Sequence, residues 1–163
     1  MLLATSALAC GYTVNTHVAG DGAEDLGRNV AIVPFQNRVT IFERRPGVEQ
    51  RLHEALLDAV LPSPYTLVPS DDADLVVTGE LDRLRQQTLS HTPDGNVSEV
   101  QVGMRVHVRV ESRRTGEEWE ETIHERDVFA VDGGETLEQT EARVFRALAD
   151  EILRRFVHPD HRW

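Results

Sequence analysis

Between residues 100 and 111 the chain reads VQVGMRVHVRVE, and apolar and polar positions alternate without a break. Val100, Val102, Met104, Val106, Val108 and Val110 fall on one side. Gln101, Gly103, Arg105, His107, Arg109 and Glu111 fall on the other. That two-residue period predicts a half-buried antiparallel strand. SRRTGEE follows as a hairpin turn around Gly116, and WEETIHERDVFAV returns as a strand with Trp119, Ile123 and Phe129 at even spacing. Upstream, DLVVTGELDRLRQQTL at 74–89 alternates through Leu75, Val77 and Leu81, then slips phase at Leu84 near Gly79. A β-bulge in this region accounts for the slip. SHTPDGN at 90–96 joins the two strands as a turn containing Pro93, Asp94 and Gly95.

Two other segments change period. Val48, Leu52, Ala55, Leu56, Ala59 and Val60 make one apolar face of a helix over 46–61. Pro46 suits its first turn and the PSP at 62–64 stops it. A second helix spans 136–157, with Leu137, Phe145, Leu148, Ala149, Ile152 and Phe156 on one face and Arg154 and Arg155 in its last turn. Before the first helix, NVAIVPFQN at 29–37 carries a continuous apolar run suited to a strand buried on both faces. Pro34 within it implies an edge position or the strand's end. YTLVP at 65–69 fits a short strand or an extended connection.

The order is therefore strand, helix, three strands, helix. Two amphipathic helices each need an apolar surface, and one sheet face serves both. The expected fold is α+β: a two-layer sandwich in which a mostly antiparallel four-stranded sheet carries two helices on one face.

Length and composition fit this picture. The 163 residues suffice for one domain with its own core, and 40% apolar with 28% charged is ordinary globular usage. Charge narrows the function. The net charge is -11, and every one of the 17 basic residues is arginine. Such a chain is not suited to nonspecific nucleic-acid binding, which depends on phosphate neutralisation. A single cysteine makes no internal disulfide, so on count alone Cys10 is a buried or incidental thiol.

The start of the chain gives that cysteine a second reading. Residues 1–9, MLLATSALA, are uncharged and apolar but far too short to span a bilayer. Ala7-Leu8-Ala9 before Cys10 is similar to a bacterial lipoprotein signal, with Ala7 where leucine is commoner and without the basic start. On that reading residues 1–9 are a signal-peptide remnant, Cys10 takes the lipid, and residues 10–28 form a polar tether. The folded domain covers 29–157, and 158–163 is a polar tail.

Catalytic patterns are missing from the sequence. His53 opens HEALLD but lacks a second histidine four residues on. His158 with His161, and His107 with His124, are pairs rather than metal sets. The four carboxylates of GEEWEE crowd one turn and strand, without the differing environments that acid–base pairs need. The expectation is a non-enzyme with no cofactor and no metal. Arginines are the chemistry that remains. Arg105 and Arg109 share the polar face of the 100–111 strand, and Arg83 and Arg85 come from the strand before. A binding stripe for phosphate or carboxylate and an ordinary solvated sheet face both fit these positions.

Taken together, ACGY, VAIVPFQNR, RPGVEQRLHEALLDAVL, DADLVVTGELDRL, the valine-alternating strand and RRTGEEWEE resemble the LptE family across about residues 10–157. These are outer-membrane lipoproteins of lipopolysaccharide assembly. The resemblance implies a sheet carrying two helices and a partner, the LptD-type outer-membrane β-barrel, which the domain enters as a plug and helps to assemble. It also implies lipopolysaccharide as ligand, a lipid on Cys10, and a lipid-anchored place on the periplasmic side of the outer membrane. Gly11 after the cysteine resembles an outer-membrane sorting pattern. Arg83, Arg85, Arg105 and Arg109 are the positions to which the family's basic lipopolysaccharide contacts are carried over. The competing readings are a periplasm-facing lipoprotein that binds or regulates another envelope protein, such as a cell-wall synthase, and a cytoplasmic domain with a mis-set start.

Overall fold

The structure is a computed structural model and describes residues 28–40 and 45–156. Residues 1–9, Cys10, the tether up to residue 27 and the tail at 158–163 lie outside the described residues.

The chain runs β1 (Asn29–Ile32), β2 (Gln36–Asn37), α1 (Val48–Val60), β3 (Thr66–Leu67), β4 (Leu75–His91), β5 (Val97–Ser112), β6 (Glu118–Ala130) and α2 (Leu137–Phe156). Single 3-10 turns at Ser70–Asp72 and Val131–Gly133 lead into β4 and α2. The sheet has six strands in the order β3-β1-β4-β5-β6, with β2 also paired to β4. It is mixed. β1 runs parallel to both β3 and β4, and β2 runs parallel to β4, while β4-β5-β6 form an antiparallel meander.

The expected four-stranded, mostly antiparallel sheet is thus corrected to six mixed strands. The reason is the crossover. α1 carries the chain back along the sheet, so the strands that follow lie parallel to β1. Pro34, lacking an N–H, interrupts one extended run and divides it into β1 and β2. β1 lies between β3 and β4, so Pro34 marks a strand's end and not an edge.

β1 is buried on both faces. Val30 joins the main core, while Ala31 packs with Ala73 and Val76 on the other side of the sheet. The main core lies between sheet and helices. Val48, Leu52 and Leu56 of α1 and Val144, Phe145, Leu148, Ala149 and Ile152 of α2 meet Leu75, Val77, Leu81, Leu84 and the even-numbered face of β5, and Val60 is buried at the end of α1. Both helices lie on one face. At the start of α2 the Thr136 hydroxyl accepts from the Gln139 N–H at 3.2 Å, and the Gln139 side chain accepts from the Thr136 N–H at 2.9 Å. This reciprocal pair fixes where the helix begins.

Polar groups also enter the interface. Glu141 of α2 is 1% exposed and receives Arg51 at 3.0 Å and Arg45 by a shorter contact. Arg45 reaches on to Gln86 of β4 at 2.9 Å, which ties the start of α1 to the other helix and to the sheet. The inner face of the edge strand β6 carries Glu121 and Asp127, paired with Arg155 and Arg143 of α2. Inward charges of this kind blunt an edge strand against sticking to other chains.

Candidate functional site

The outer face of β4-β5-β6 is free of helices, and a bulge decides which side chains it carries. Up to Leu81, odd-numbered residues of β4 face the core. The register then jumps between Leu81 and Arg83, making Asp82 an extra residue in the strand. Beyond it Leu84 faces inward, opposite Met104, and Arg83 and Arg85 face outward. Without the extra residue both arginines would point at the core, so the bulge re-aims them.

Register then assembles two rungs across the three strands. Arg83, Arg105 and His124 stand side by side, and Arg85, Gly103 and Arg126 form the next rung. Adjacent strands are about 4.8 Å apart, so Arg85 and Arg126 flank Gly103 at a backbone separation of about 10 Å. Gly103 has no side chain, which leaves a depression of about 700 Å³ walled by the arginines.

These cations are not equivalent. Arg105 is held by Asp82, Nε to Oδ1 at 2.6 Å. That hydrogen bond raises the Arg105 pKa above its already high range, against the opposing effect of desolvation. Arg83, Arg85 and Arg126 make no ion pair among the described residues and are exposed. Three uncompensated guanidiniums surrounding an open floor suit a compact anion such as a phosphate monoester.

The structure therefore divides the four arginines expected from the sequence. Arg83, Arg85 and Arg105 come together. Arg109 lies further along β5, paired with Glu118 and with Glu120 at 3.4 Å. His107 also faces Glu120, at 3.7 Å, so this half of the face carries carboxylates beside its one arginine. Arg126 lies in the cationic half and was not singled out from the sequence; His124, read there only as half of a histidine pair, stands beside it. Outward alternation in β6 could have flagged them, but their partners follow only from the β5-β6 register. His107 and His124 are not paired, since His107 stands opposite Thr122. The GEEWEE carboxylates divide between the two faces: Glu118 and Glu120 meet Arg109, and Glu121 meets Arg155.

No group of three metal-ligating side chains occurs among the described residues. Among the same residues no helix is long and apolar enough to cross a membrane. Fold and face together define a small α+β domain: a sheet backed by two helices, with a local cationic surface on an acidic chain.

The comparisons with known proteins specify that class. Residues 27–156 match the family described as LptE, lipopolysaccharide-assembly, and the chain belongs to that family. It is a family of non-enzymatic lipoproteins that act in lipopolysaccharide assembly at the outer membrane. A search of curated sequences finds no match. Among solved structures, a minor lipoprotein from Acinetobacter baumannii aligns at 17% identity and TM-score 0.53, covering 78% of this chain and 91% of that one. A hypothetical protein from Chlamydia trachomatis aligns at 12% identity and TM-score 0.52, covering 76% and 94%. These two share the fold. Rare lipoprotein B from Shewanella oneidensis aligns at 19% identity and TM-score 0.49, covering 77% and 91%.

Proposed function

We propose that this protein is the lipoprotein partner of an LptD-type barrel and that its sheet face receives the phosphate groups of lipopolysaccharide. The observation that carries the ligand part is the pair of rungs at Arg83, Arg85, Arg105, His124 and Arg126, in which Arg83, Arg85 and Arg126 have no ion pair among the described residues, on a chain of net charge -11. Family membership supports the assembly role. A preformed two-layer domain favours the correctly closed barrel by binding it and not its unfolded chain. Acyl chains on Cys10, each gaining about 0.8 kcal/mol per buried CH₂, would hold the domain at the inner leaflet.

Binding of purified lipopolysaccharide to the purified domain tests the ligand part. Charge-assisted contacts are worth roughly 1.5–3 kcal/mol when desolvated and less at an exposed face, so losing two of them weakens binding about 10- to 100-fold. Arg85→Glu with Arg126→Glu should show that loss. Arg109→Glu, already among carboxylates, should bind within about twofold of wild type, a difference below roughly 0.5 kcal/mol. Equal binding by all three proteins rejects the assignment. Co-purification with the barrel tests the partner, and membrane fractionation of Cys10→Ala tests the anchor. The variant should move to the soluble periplasmic fraction, and a distribution unchanged from wild type removes the anchor.

A further inference from the structure

The outer surface of the helix layer carries a second concave feature, on the opposite side of the domain from the cationic rungs. α1 and α2 lie together, and the small side chains Ala55 and Ala59 of α1 and Ala142 of α2 leave a trough of about 940 Å³ between them. Its floor is apolar. Ala55, Ala59 and Leu137 are half-buried against the core, and the buried Phe145 ring carries the Arg51 guanidinium 5.3 Å from its centre. Leu61 stands 71% exposed where α1 ends, beside Pro62 of the trough.

The rim has the opposite sign to the sheet face. Arg45 and Arg51 are taken up by Glu141. Glu141 balances only one of the two, so Glu54, Asp58, Glu138 and Asp150 are set against Arg146 and one further positive charge, and the rim is left acidic by two. None of these four carboxylates has a cationic partner among the described residues; Glu54 only accepts from Gln50 at 3.0 Å.

We infer that this trough docks a cationic amphipathic helix of a partner protein, apolar stripe on the alanine floor and basic flanks against the acidic rim. Charge selects this occupant. A second copy would set acidic rim against acidic rim, in a chain of net charge -11. An anionic lipid surface is repelled for the same reason. The chain's own residues 10–28 carry Asp21, Glu24 and Asp25 against Arg28, which is the wrong sign. Residues 158–163 carry Asp160 against Arg162 and offer no net positive charge to the acidic rim. The 13-residue α1 offers about 20 Å of trough, or some three to four turns of partner helix. Because the trough and the cationic rungs lie on opposite sides, both can be occupied at once, and this inference stands apart from the lipopolysaccharide reading.

Fluorescence titration with synthetic peptides of about 14 residues tests it. One peptide carries a leucine stripe flanked by arginines, a second has the same composition scrambled, and a third replaces arginine by glutamate. Wild type should bind the first at least about tenfold more tightly than the other two, a gap of about 1.4 kcal/mol. Asp58→Arg with Asp150→Arg should lose about tenfold by charge, and Ala142→Trp should lose as much by filling the trough without changing charge. Ala142, Asp58 and Asp150 are exposed, and circular dichroism with thermal melting checks that each variant is folded. Equal binding of the ordered and scrambled peptides, or of wild type and Ala142→Trp, overturns the inference. Sedimentation showing a dimer that Ala142→Trp abolishes overturns it in favour of a second copy. Tighter peptide binding after truncation at residue 157 overturns it in favour of the tail.

Discussion

Gly79 is the most exposed joint in the logic of this fold, and replacing it with alanine tests that logic. A Cβ built at Gly79 would lie 2.5 Å from Phe35 Cε2, 2.8 Å from Phe35 Cζ and 2.7 Å from the His107 carbonyl oxygen. Comfortable carbon–carbon contact begins near 3.5 Å, so the ring must retreat by about 1 Å. Phe35 is 3% exposed and belongs to the main core, and its retreat opens packing against β4. The carbonyl cannot yield without loosening the β4-β5 ladder, where Gly79 stands opposite Val108. Overpacking of this kind costs about 1–3 kcal/mol. Loss of glycine's freedom in the unfolded chain returns about 0.4–1 kcal/mol. The net expectation is a loss of about 1–2 kcal/mol, or a melting temperature lower by roughly 3–8 °C for a domain of this size.

Two further variants sharpen the test. Phe35→Leu removes the ring atoms that meet the new methyl but leaves the carbonyl contact in place. In a double-mutant cycle with Gly79→Ala it should therefore give a favourable coupling of about 0.5–1 kcal/mol, rescuing part of the loss. Gly103→Ala is the control on the neighbouring strand. There the nearest atoms to a new Cβ are Glu125 O at 3.8 Å and Arg126 Cβ at 3.9 Å, so the change should be neutral or slightly stabilising. Melting curves followed by circular dichroism decide. If Gly79→Ala and Gly103→Ala melt together, the close approach of Phe35 to β4 is not what places glycine at 79.

Glu141→Ala should cost about 2–4 kcal/mol in urea titration, because two arginines lose their buried partner, and Glu141→Gln should cost less by keeping an acceptor. A loss below about 0.5 kcal/mol would mean that the Arg45 tie contributes nothing to stability. Thr136→Ala should cost about 1 kcal/mol through the helix cap, and an unchanged melt would remove that role. Burial raises the Asp127 pKa, but hydrogen bonds from Arg143 and the Val128 N–H, with the Arg143 charge, outweigh it and hold the group below its ordinary value. Its stabilisation is complete above the unfolded value near 3.9 and is lost as pH falls through the lower folded value. The stability gap between wild type and Asp127→Asn should then be flat from pH 5 to 8 and shrink below about pH 4; a gap unchanged down to pH 2 refutes it.

How far the sequence reached depended on the range of each interaction. Alternation along β5 and the periodicity of both helices are local, and Val100 to Val110 and Val48 to Val60 occupy the core as read. The phase slip near Leu84 did signal a bulge, now located at Asp82. Gly79, which stood beside that slip, has a different role, because its close neighbour Phe35 is 44 residues away in the chain. The short strands β2 and β3 have two residues each, too few for any period to register. They exist because parallel neighbours complete them, Gln36 beside Glu80 and Thr66 beside Asn29. That Arg126 stands free and that Arg109 is paired were both hidden in the sequence for one reason. Which arginine stays free depends on which carboxylate the register sets opposite it, and Glu120 faces Arg109.

The same pairing resolves the apparent conflict between an acidic chain and an anionic ligand. Arg143 is taken by Asp127 and Glu135, Arg155 by Glu121 and Glu151, Arg45 and Arg51 by Glu141, Arg109 by Glu118 and Glu120, and Arg105 by Asp82. Only the Arg105–Asp82 pair is neutral as it stands, and each of the other clusters carries at most one net charge, screened beyond a few ångströms. The surplus acid sits largely elsewhere, part of it on the helix trough. At physiological ionic strength the screening length is about 8 Å, less than the backbone distance from Arg85 to Arg126. An anion over Gly103 therefore responds to the three free guanidiniums around it and hardly at all to the trough on the far side. In about 10 mM salt the screening length grows to about 30 Å, and the whole charge of -11 bears on the same anion. On the proposed reading, net charge thus governs encounter at low salt, while the bulge at Asp82 and the bare floor at Gly103 govern what is held once it arrives.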